Sequence, residues 1–424
     1  MYTPDHTGVI HSYMMNDKNI NNFRLSVTLR EKVDTKILQR AADEVLPEFP
    51  LIGARLTPSR LFYRIKPVKK GLKIHADRYE LLKSVTFRNI SQYAIQVLFR
   101  DNQIAVEFFH GLTDAVGAFT FMKALINRYL HYRYPSEVQR NDIVLNRKNI
   151  WQDCYPKHGI FHYGVFNVKL GQYYHFPYRY VRVGNRTVTY SMSVKKIKNV
   201  TRQYRCSVTE LLTGILFLAV YHMRLEKQND KRKIAMMVAV NLRSIFSEKT
   251  LRNFSLYVTP VIKNFGNGCL EDILPELQKQ IKWQKSRKYL ENQIYRNEKL
   301  QNNILFAKLP LRFKRTLVQS AYKVTGGKTC MTLSNFGVAT FPEDMTSYID
   351  EVDFLLSTRY QTQYNCAVIS YRDTLRLSLT NNGNTTVLEK KLEEMLLQLG
   401  IPFEQVEYGG KIHQLLRNGE NYER

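Results

Sequence analysis

Cysteine is scarce and scattered: the 424 residues hold five, Cys154, Cys206, Cys269, Cys330 and Cys366, and no two of them form a CxxC pair. That spacing indicates neither a zinc site nor a disulfide framework, and the five read as reduced, mostly buried thiols. Long apolar runs are missing too. The stretch LLTGILFLAV at 211–220 is among the longest, and it falls well short of the ~20 residues a membrane span needs. The opening MYTPDHTGVIHSY lacks the charged-then-apolar order of a signal peptide, so a cytoplasmic location is expected. No G-x-S-x-G elbow, Walker loop or dinucleotide fingerprint occurs, which removes the common serine-hydrolase, P-loop and Rossmann readings. His158 and His162 have i, i+4 spacing in HGIFH. Gly159 and the surrounding aromatics disfavour a helix there, and with no carboxylate expected nearby no metal site is expected.

Negative charge is the other shortage. There are 37 Asp and Glu against 63 Lys and Arg, a net charge of +26. A field of that sign concentrates and steers polyanions. Nucleic acid, an anionic membrane surface, a phosphate-bearing small molecule or an acidic protein would each respond to it. The basic residues cluster in RIKPVKKGLK (64–73), KKIKNVTRQYR (195–205), KQIKWQKSRK (279–288) and KLPLRFKR (308–315). Twenty-seven tyrosines interleave with these cations, yet no nucleic-acid-binding module is recognisable. The segment AKLPLRFKRTLVQSAYKV (307–324) sets Arg and Lys beside Leu, Phe and Val. It reads as a core helix with a basic outer face, and it keeps peripheral membrane contact open.

What is present is a core of ordinary size. Hydrophobic residues make up 44% and charged residues 24%, the balance of a globular chain long enough for two domains. The order of elements predicts two α+β halves, 1–183 and 184–424. In the first, FRLSVTLREKV (23–33) alternates like a strand, and Asp34 stands where a helix N-cap belongs before TKILQRAADEVL. Pro47 and Pro50 end that helix, and strands follow around LFYRIKP, YAIQVLFR and QIAVEFFH. The second half opens with the strand RTVTYSMSV (186–194). Ser207 and Glu210 then have the spacing of a capping box ahead of an apolar helix. Strands are predicted at 234–243, 329–337, 365–372 and 374–380, and a last helix, TTVLEKKLEEMLLQLG, ends at Gly400.

The segment that carries chemistry is QIAVEFFHGLTDAVGAFTFMKALINRYL. Period-2 alternation puts Ile104, Val106, Phe108 and His110 on one face of a strand. From about Asp114 the spacing turns helical through Phe121, Leu125 and Tyr129. A histidine at a strand end, followed by a tight turn at Gly111 and a helix N-terminus, sets an imidazole beside N–H groups that favour negative charge.

HGLTDAVG resembles the HxxxD(G/A) signature of the superfamily that contains chloramphenicol acetyltransferase, alcohol acetyltransferases, plant hydroxyl acyltransferases and the condensation domains of peptide synthetases. His110 and Asp114 match the fixed positions, with Ala115 where many relatives have glycine. Three further segments are similar in the same order: VTLREKVDTKILQRAADEVLPEFPLIGARL near the start, VAVNLRSIF at 238–246, and LSNFGVATFP at 333–342. The likeness runs from about residue 20 to 405 and is nearest to alcohol-acetyltransferase-like proteins.

The resemblance implies an α+β fold of two chloramphenicol-acetyltransferase-like lobes, each a mixed sheet with helices packed on it, enclosing a tunnel at their interface. It implies that His110 takes the proton from an acceptor hydroxyl or amine as it attacks an acyl thioester. Asp114 would then be structural, paired with Arg243, and Ser334 and Asn335 are candidates to support the oxyanion, beside backbone N–H groups near Ala115. The donor would be acyl-coenzyme A, with no permanently bound cofactor. An acidic acyl carrier protein is the alternative donor, as in a condensation-like enzyme of lipopeptide or polyketide assembly, although Phe109 stands where condensation domains have the first histidine of HHxxxDG. A non-catalytic binding protein of the same fold is the third reading, and nucleic acid the weakest partner.

Overall fold

The structure is a computed structural model. It describes residues 2–408 apart from 17–20, 69–70, 79–80, 83–84, 87–88, 142–149, 160–172, 177–184, 228–231, 326–328, 359–361 and 384. The expected boundary at 183/184, and His162, lie outside the described residues.

Six strands form in the first half: Asn22–Leu29 (β1), Ala54–Pro58 (β2), Tyr63–Pro67 (β3), His75–Ala76 (β4), Ile95–Arg100 (β5) and Gln103–Phe109 (β6). The second half contributes Arg186–Ser193 (β7), Ile234–Asn241 (β8), Ser255–Val258 (β9), Val261–Ile262 (β10) and Met331–Val338 (β11). Ile349–Leu356 (β12), Tyr364–Tyr371 (β13), Thr374–Asn381 (β14) and Phe403–Tyr408 (β15) complete them. One sheet has the order β12-β1-β6-β5-β4, and the other β10-β8-β11-β13-β14-β7-β15 with β9 also on β8. β2 and β3 form a separate hairpin.

β12 is the exception to the order along the chain. It follows β11 and precedes β13, both in the second sheet, yet it pairs antiparallel with β1, Val27 opposite Val352 and Phe23 opposite Leu356. The first sheet therefore takes an edge strand from the second half, so a division at 183/184 describes chain order and not the make-up of the sheets.

Local chemistry sets the helix starts where the sequence indicates. The Asp34 carboxylate accepts from the N–H of Lys36 at 2.8 Å and of Ile37 at 3.1 Å, capping helix Thr35–Val45. At Val208–Lys227 both arms of the capping box are made: Glu210 N–H donates to Ser207 Oγ, and Ser207 N–H to Glu210 Oε2. That helix is long and apolar enough in composition to cross a membrane, and 67% of its Val208–Leu225 window is buried inside the fold. It joins the second core with Leu277 and Ile281 of helix Leu270–Gln284 and Leu388, Leu392 and Leu396 of Val387–Gln398. Gly400, at φ +66°, follows this last helix as expected of a C-terminal glycine. The first core centres on β1, β6 and helix Ala115–Arg133, whose Phe121, Leu125 and Tyr129 are fully buried, each worth ~2–3 kcal/mol in apolar transfer.

Candidate active site

The site grows from the turn between β6 and helix Ala115–Arg133. β6 is buried on both faces. Phe108 stacks on Phe23 at 5.3 Å, and His110, two residues on, meets the edge of the same Phe23 ring at 5.1 Å. The alternation read from the sequence thus holds at the position that matters. On the opposite face Glu107 is buried against Arg24, which also pairs with Asp77 at 2.7 Å.

Asp114 is both the N-cap of the helix and the anchor of the second half. Its Oδ1 accepts from Val116 N, Gly117 N and Arg243 Nη2, the last at 3.0 Å, and its Oδ2 from Arg243 Nη1 at 2.8 Å and Phe254 N at 2.8 Å. Five N–H donors occupy the carboxylate, which suits a structural anchor and not a proton relay. Arg243, just after β8, further donates to the carbonyls of Thr250 and Arg252, both at 2.7 Å. Asn241 Oδ1 in turn accepts from its backbone N–H and from Nη1. The strap 250–254 is therefore clamped against the motif. Thr113 Oγ1 donates to Leu251 O at 2.7 Å, and a Cβ at Gly117 would collide with both groups, so only glycine lets helix and strap meet.

The strap delivers Asn253 to the imidazole. Asn253 Oδ1 lies 3.1 Å from His110 Nδ1. The orientation of this amide is set from behind, because Asn253 Nδ2 donates to both oxygens of Asp5, at 3.3 and 3.2 Å, and Asn253 N–H adds a bond to Oδ2. An acceptor oxygen facing Nδ1 places the proton there, which makes Nε2 the basic nitrogen. The ring stacks on His11 at 4.5 Å, and His110 N–H donates to Asn21 O.

Asp5 and His11 belong to a helix, His6–Met14, that the sequence reading left unassigned. Asp5 caps it, accepting from Gly8 N–H at 2.8 Å. At Gly8 a Cβ would collide with Gly111 O, so the helix lies directly on the turn that follows His110. Burial holds the Asp5 carboxyl up, at about 6 instead of 3.8, against the pull of Arg252 and with a smaller push from Asp153. The folded state then binds this proton more tightly than the unfolded chain. Its contribution to stability is fully present below pH 3.8, fades as pH rises through 6, and is lower by about 3 kcal/mol at neutrality. Asp5→Asn removes that dependence. Urea titrations should show the variant gaining about 2–3 kcal/mol on the wild type between pH 4 and 7; a constant difference would mean that Asp5 does not titrate in this range.

His110 lines a cavity where the two halves meet. Asn21 and Phe23 of the first half, Tyr257 and Ser334 of the second, and Leu356 from the crossing strand share its wall. Ala115 lies there too, as do Asp114, Arg243 and Asn335, so the predicted site residues all converge. Their side chains are not equally disposed. The amide of Asn335 donates to Thr209 Oγ1 at 3.1 Å and accepts from Gly337 N–H at 2.9 Å, where the β11 register shifts. It fastens the strand. The N–H groups of Val116 and Gly117, near Ala115, are already directed to Asp114.

Elsewhere, one reading changes. His158 does have a carboxylate neighbour: Glu248 Oε1 lies 3.0 Å from its Nε2, brought there from 90 residues away. Among the described residues no group of three or more His, Cys, Asp or Glu is placed to hold a metal ion. The five cysteines are unbridged; Cys154, Cys330 and Cys366 are buried and Cys206 and Cys269 half-buried. Burial pushes the Cys154 and Cys330 thiols up to about 12 and Cys206 to about 11, which disfavours thiolate chemistry at each.

No family model and no curated protein matches the chain. Solved structures do. The trichothecene 15-O-acetyltransferase TRI3 of Fusarium sporotrichioides is similar at a TM-score of 0.61 and 11% identity, over 93% of each chain. Polyketide synthase associated protein 5 of Mycobacterium tuberculosis is similar at 0.62 and 12%, over 94% of this chain and 96% of that one. TRI101 of F. sporotrichioides, solved with coenzyme A and T-2, is similar at 0.59 and 10%, over 95% and 100%. Condensation domains also match, including that of the Monacolin K polyketide synthase MokA at 0.57 and 11%. At such identities it is the architecture that is shared. This chain has the two-lobed fold of chloramphenicol-acetyltransferase-like acyltransferases and condensation domains.

Proposed function

We propose that the protein is an acyltransferase that moves an acyl group from an acyl-coenzyme A thioester to the hydroxyl, or the amine, of a small-molecule acceptor. The observation that carries this reading is the 3.1 Å contact between His110 Nδ1 and Asn253 Oδ1, on the wall of the interlobe cavity and with the Asn253 amide held by Asp5; it favours the tautomer with the proton on Nδ1. Nε2 then accepts the acceptor's proton as its oxygen or nitrogen bonds to the thioester carbonyl carbon. When the C–S bond breaks, the same proton passes to the departing thiolate. Atoms balance without a covalent enzyme intermediate. The tetrahedral oxyanion needs a donor, and the Ser334 hydroxyl, on the cavity wall, is better disposed for this than the engaged Asn335 amide.

Asn253 acts in this scheme as a positioning residue. Asn253→Ala should lower kcat by about 10–10² with little change in KM, since a misoriented base slows the chemical step more than it weakens binding. A change confined to KM would contradict the assignment.

The likeness to TRI101, which was solved with coenzyme A, supports the coenzyme A donor; a carrier-bound donor is the alternative. The test follows product by mass spectrometry from acetyl- and longer acyl-coenzyme A, and from acyl carrier protein, with a panel of alcohols and amines. Product from coenzyme A thioesters is the expected result. Product from the carrier alone would replace the donor, and none from either would leave a binding protein of this fold.

A further inference from the structure

Two stretches of the chain contain no acidic residue: 49–76, with seven Lys and Arg, and 299–342, with seven more. The fold brings them together. Leu311 N–H donates to Arg60 O at 2.8 Å. The Lys314 ammonium, itself 5% exposed, donates to Leu61 O and to Ala307 O, both at 2.9 Å. This inward lysine ties the tip of the β2–β3 hairpin to helices Ile304–Lys308 and Leu311–Thr325.

The outer surface of that platform is apolar and cationic at once. Ile304 and Leu305 are 70% and 79% exposed, and Phe313 and Leu317, one turn apart, 48% and 52%. Phe62 at the hairpin tip is exposed beside them. Among them stand exposed Arg60, Lys308 and Arg312, with the Arg312 guanidinium over the Phe313 ring. Arg60, Arg312 and Arg315 share one groove with Ser59, Tyr63 and Ser91, a size and chemistry suited to a phosphate-bearing headgroup. None of these residues lines the cavity that holds His110.

We propose that this face docks on an anionic phospholipid surface, with Leu305, Phe313 and Leu317 inserted at the acyl boundary and Arg60 and Arg312 on headgroup phosphates. The pairing of features selects the occupant. A nucleic acid would answer the cations and leave five large apolar side chains in water. A second copy, related by a two-fold axis, would bring the same cations face to face. A bilayer interface takes both kinds of side chain, apolar below and cationic at the headgroup plane.

The test is co-sedimentation of the full chain with phosphatidylcholine vesicles, with and without phosphatidylserine, beside size-exclusion chromatography and binding to duplex DNA. Binding to the phosphatidylserine vesicles is expected, and Leu305→Ser/Phe313→Ser/Leu317→Ser should weaken it about tenfold or more while leaving the net charge unchanged. Arg60→Gln/Arg312→Gln should weaken it comparably and flatten its salt dependence. In a chain with Trp151→Phe and Trp283→Phe, a Phe313→Trp reporter should be quenched by brominated lipid. The proposal is overturned if the serine triple variant binds as tightly as the wild type, since the attraction is then only that of the whole +26 charge. It is equally overturned if the wild type does not bind, if the tryptophan is not quenched, if the same substitutions instead abolish DNA binding, or if they dissolve a dimer.

Discussion

His110→Ala should lower kcat/KM for acyl transfer by about 10²–10⁴, the usual contribution of a positioned general base. In the proposed mechanism the loss falls mainly on kcat, because there the imidazole meets the acceptor's proton only as the new bond forms. Stability should change far less. The ring is only half-buried, and the bonds that hold the turn, from His110 N–H to Asn21 O and from Phe109 N–H to Ala94 O, are backbone ones that alanine keeps. Unfolding by urea beside steady-state kinetics separates the two effects. A variant that retains full activity would remove His110 from the chemistry and leave the fold with another use.

Asp114→Ala should behave in the opposite way, with a loss of about 3–5 kcal/mol of stability, because Arg243 remains buried without its charge partner. Side-chain exposures of 10% for Arg243 and 6% for Asp114 put the pair well inside the fold. The same truncation strips the cap from helix Ala115–Arg133 and leaves Phe254 N–H without its carboxylate. Arg243→Ala should cost a similar amount, and the double variant much less than the two losses combined, since each single change already forfeits the shared interaction. Activity falls with both, by an indirect route: once the strap 250–254 is released, Asn253 no longer holds the imidazole. Urea unfolding of the two single variants and the double variant measures this; additive losses would mean that the ion pair is not the element that joins the halves.

These two residues differ in how they could be found. The His110–Asp114 motif announces itself locally, because alternation along β6 followed by helical spacing fixes where a strand ends and which way its last side chain points. Arg243 was reachable only through the resemblance of VAVNLRSIF, and its bonds to Asp114 span 129 residues. Asp5, His11 and Asn253 carried no such signal. The amphipathic pattern of His6–Met14 is weak, and nothing in a chain of letters says that residue 5 will lie against residue 253. The helix starts at Asp34, Asp114 and Ser207 were legible for a physical reason: a cap is a bond within three residues, complete in the local sequence. β12 was not, because its choice of sheet depends on Phe354 and Val352 packing against Phe23 and Val27, contacts made more than 300 residues apart. Charge gave the least: it suggests a sign for a partner, and the proposed lipid chemistry rests on the exposed apolar side chains around Arg60 and Arg312.

Acceptor-dependent release of free thiol from acyl-coenzyme A by the purified wild-type protein is the most direct measurement of the central claim. Release that rises with the acceptor and disappears in His110→Ala is the expected result. Release that is indifferent to every acceptor, or equal in the variant, would contradict it.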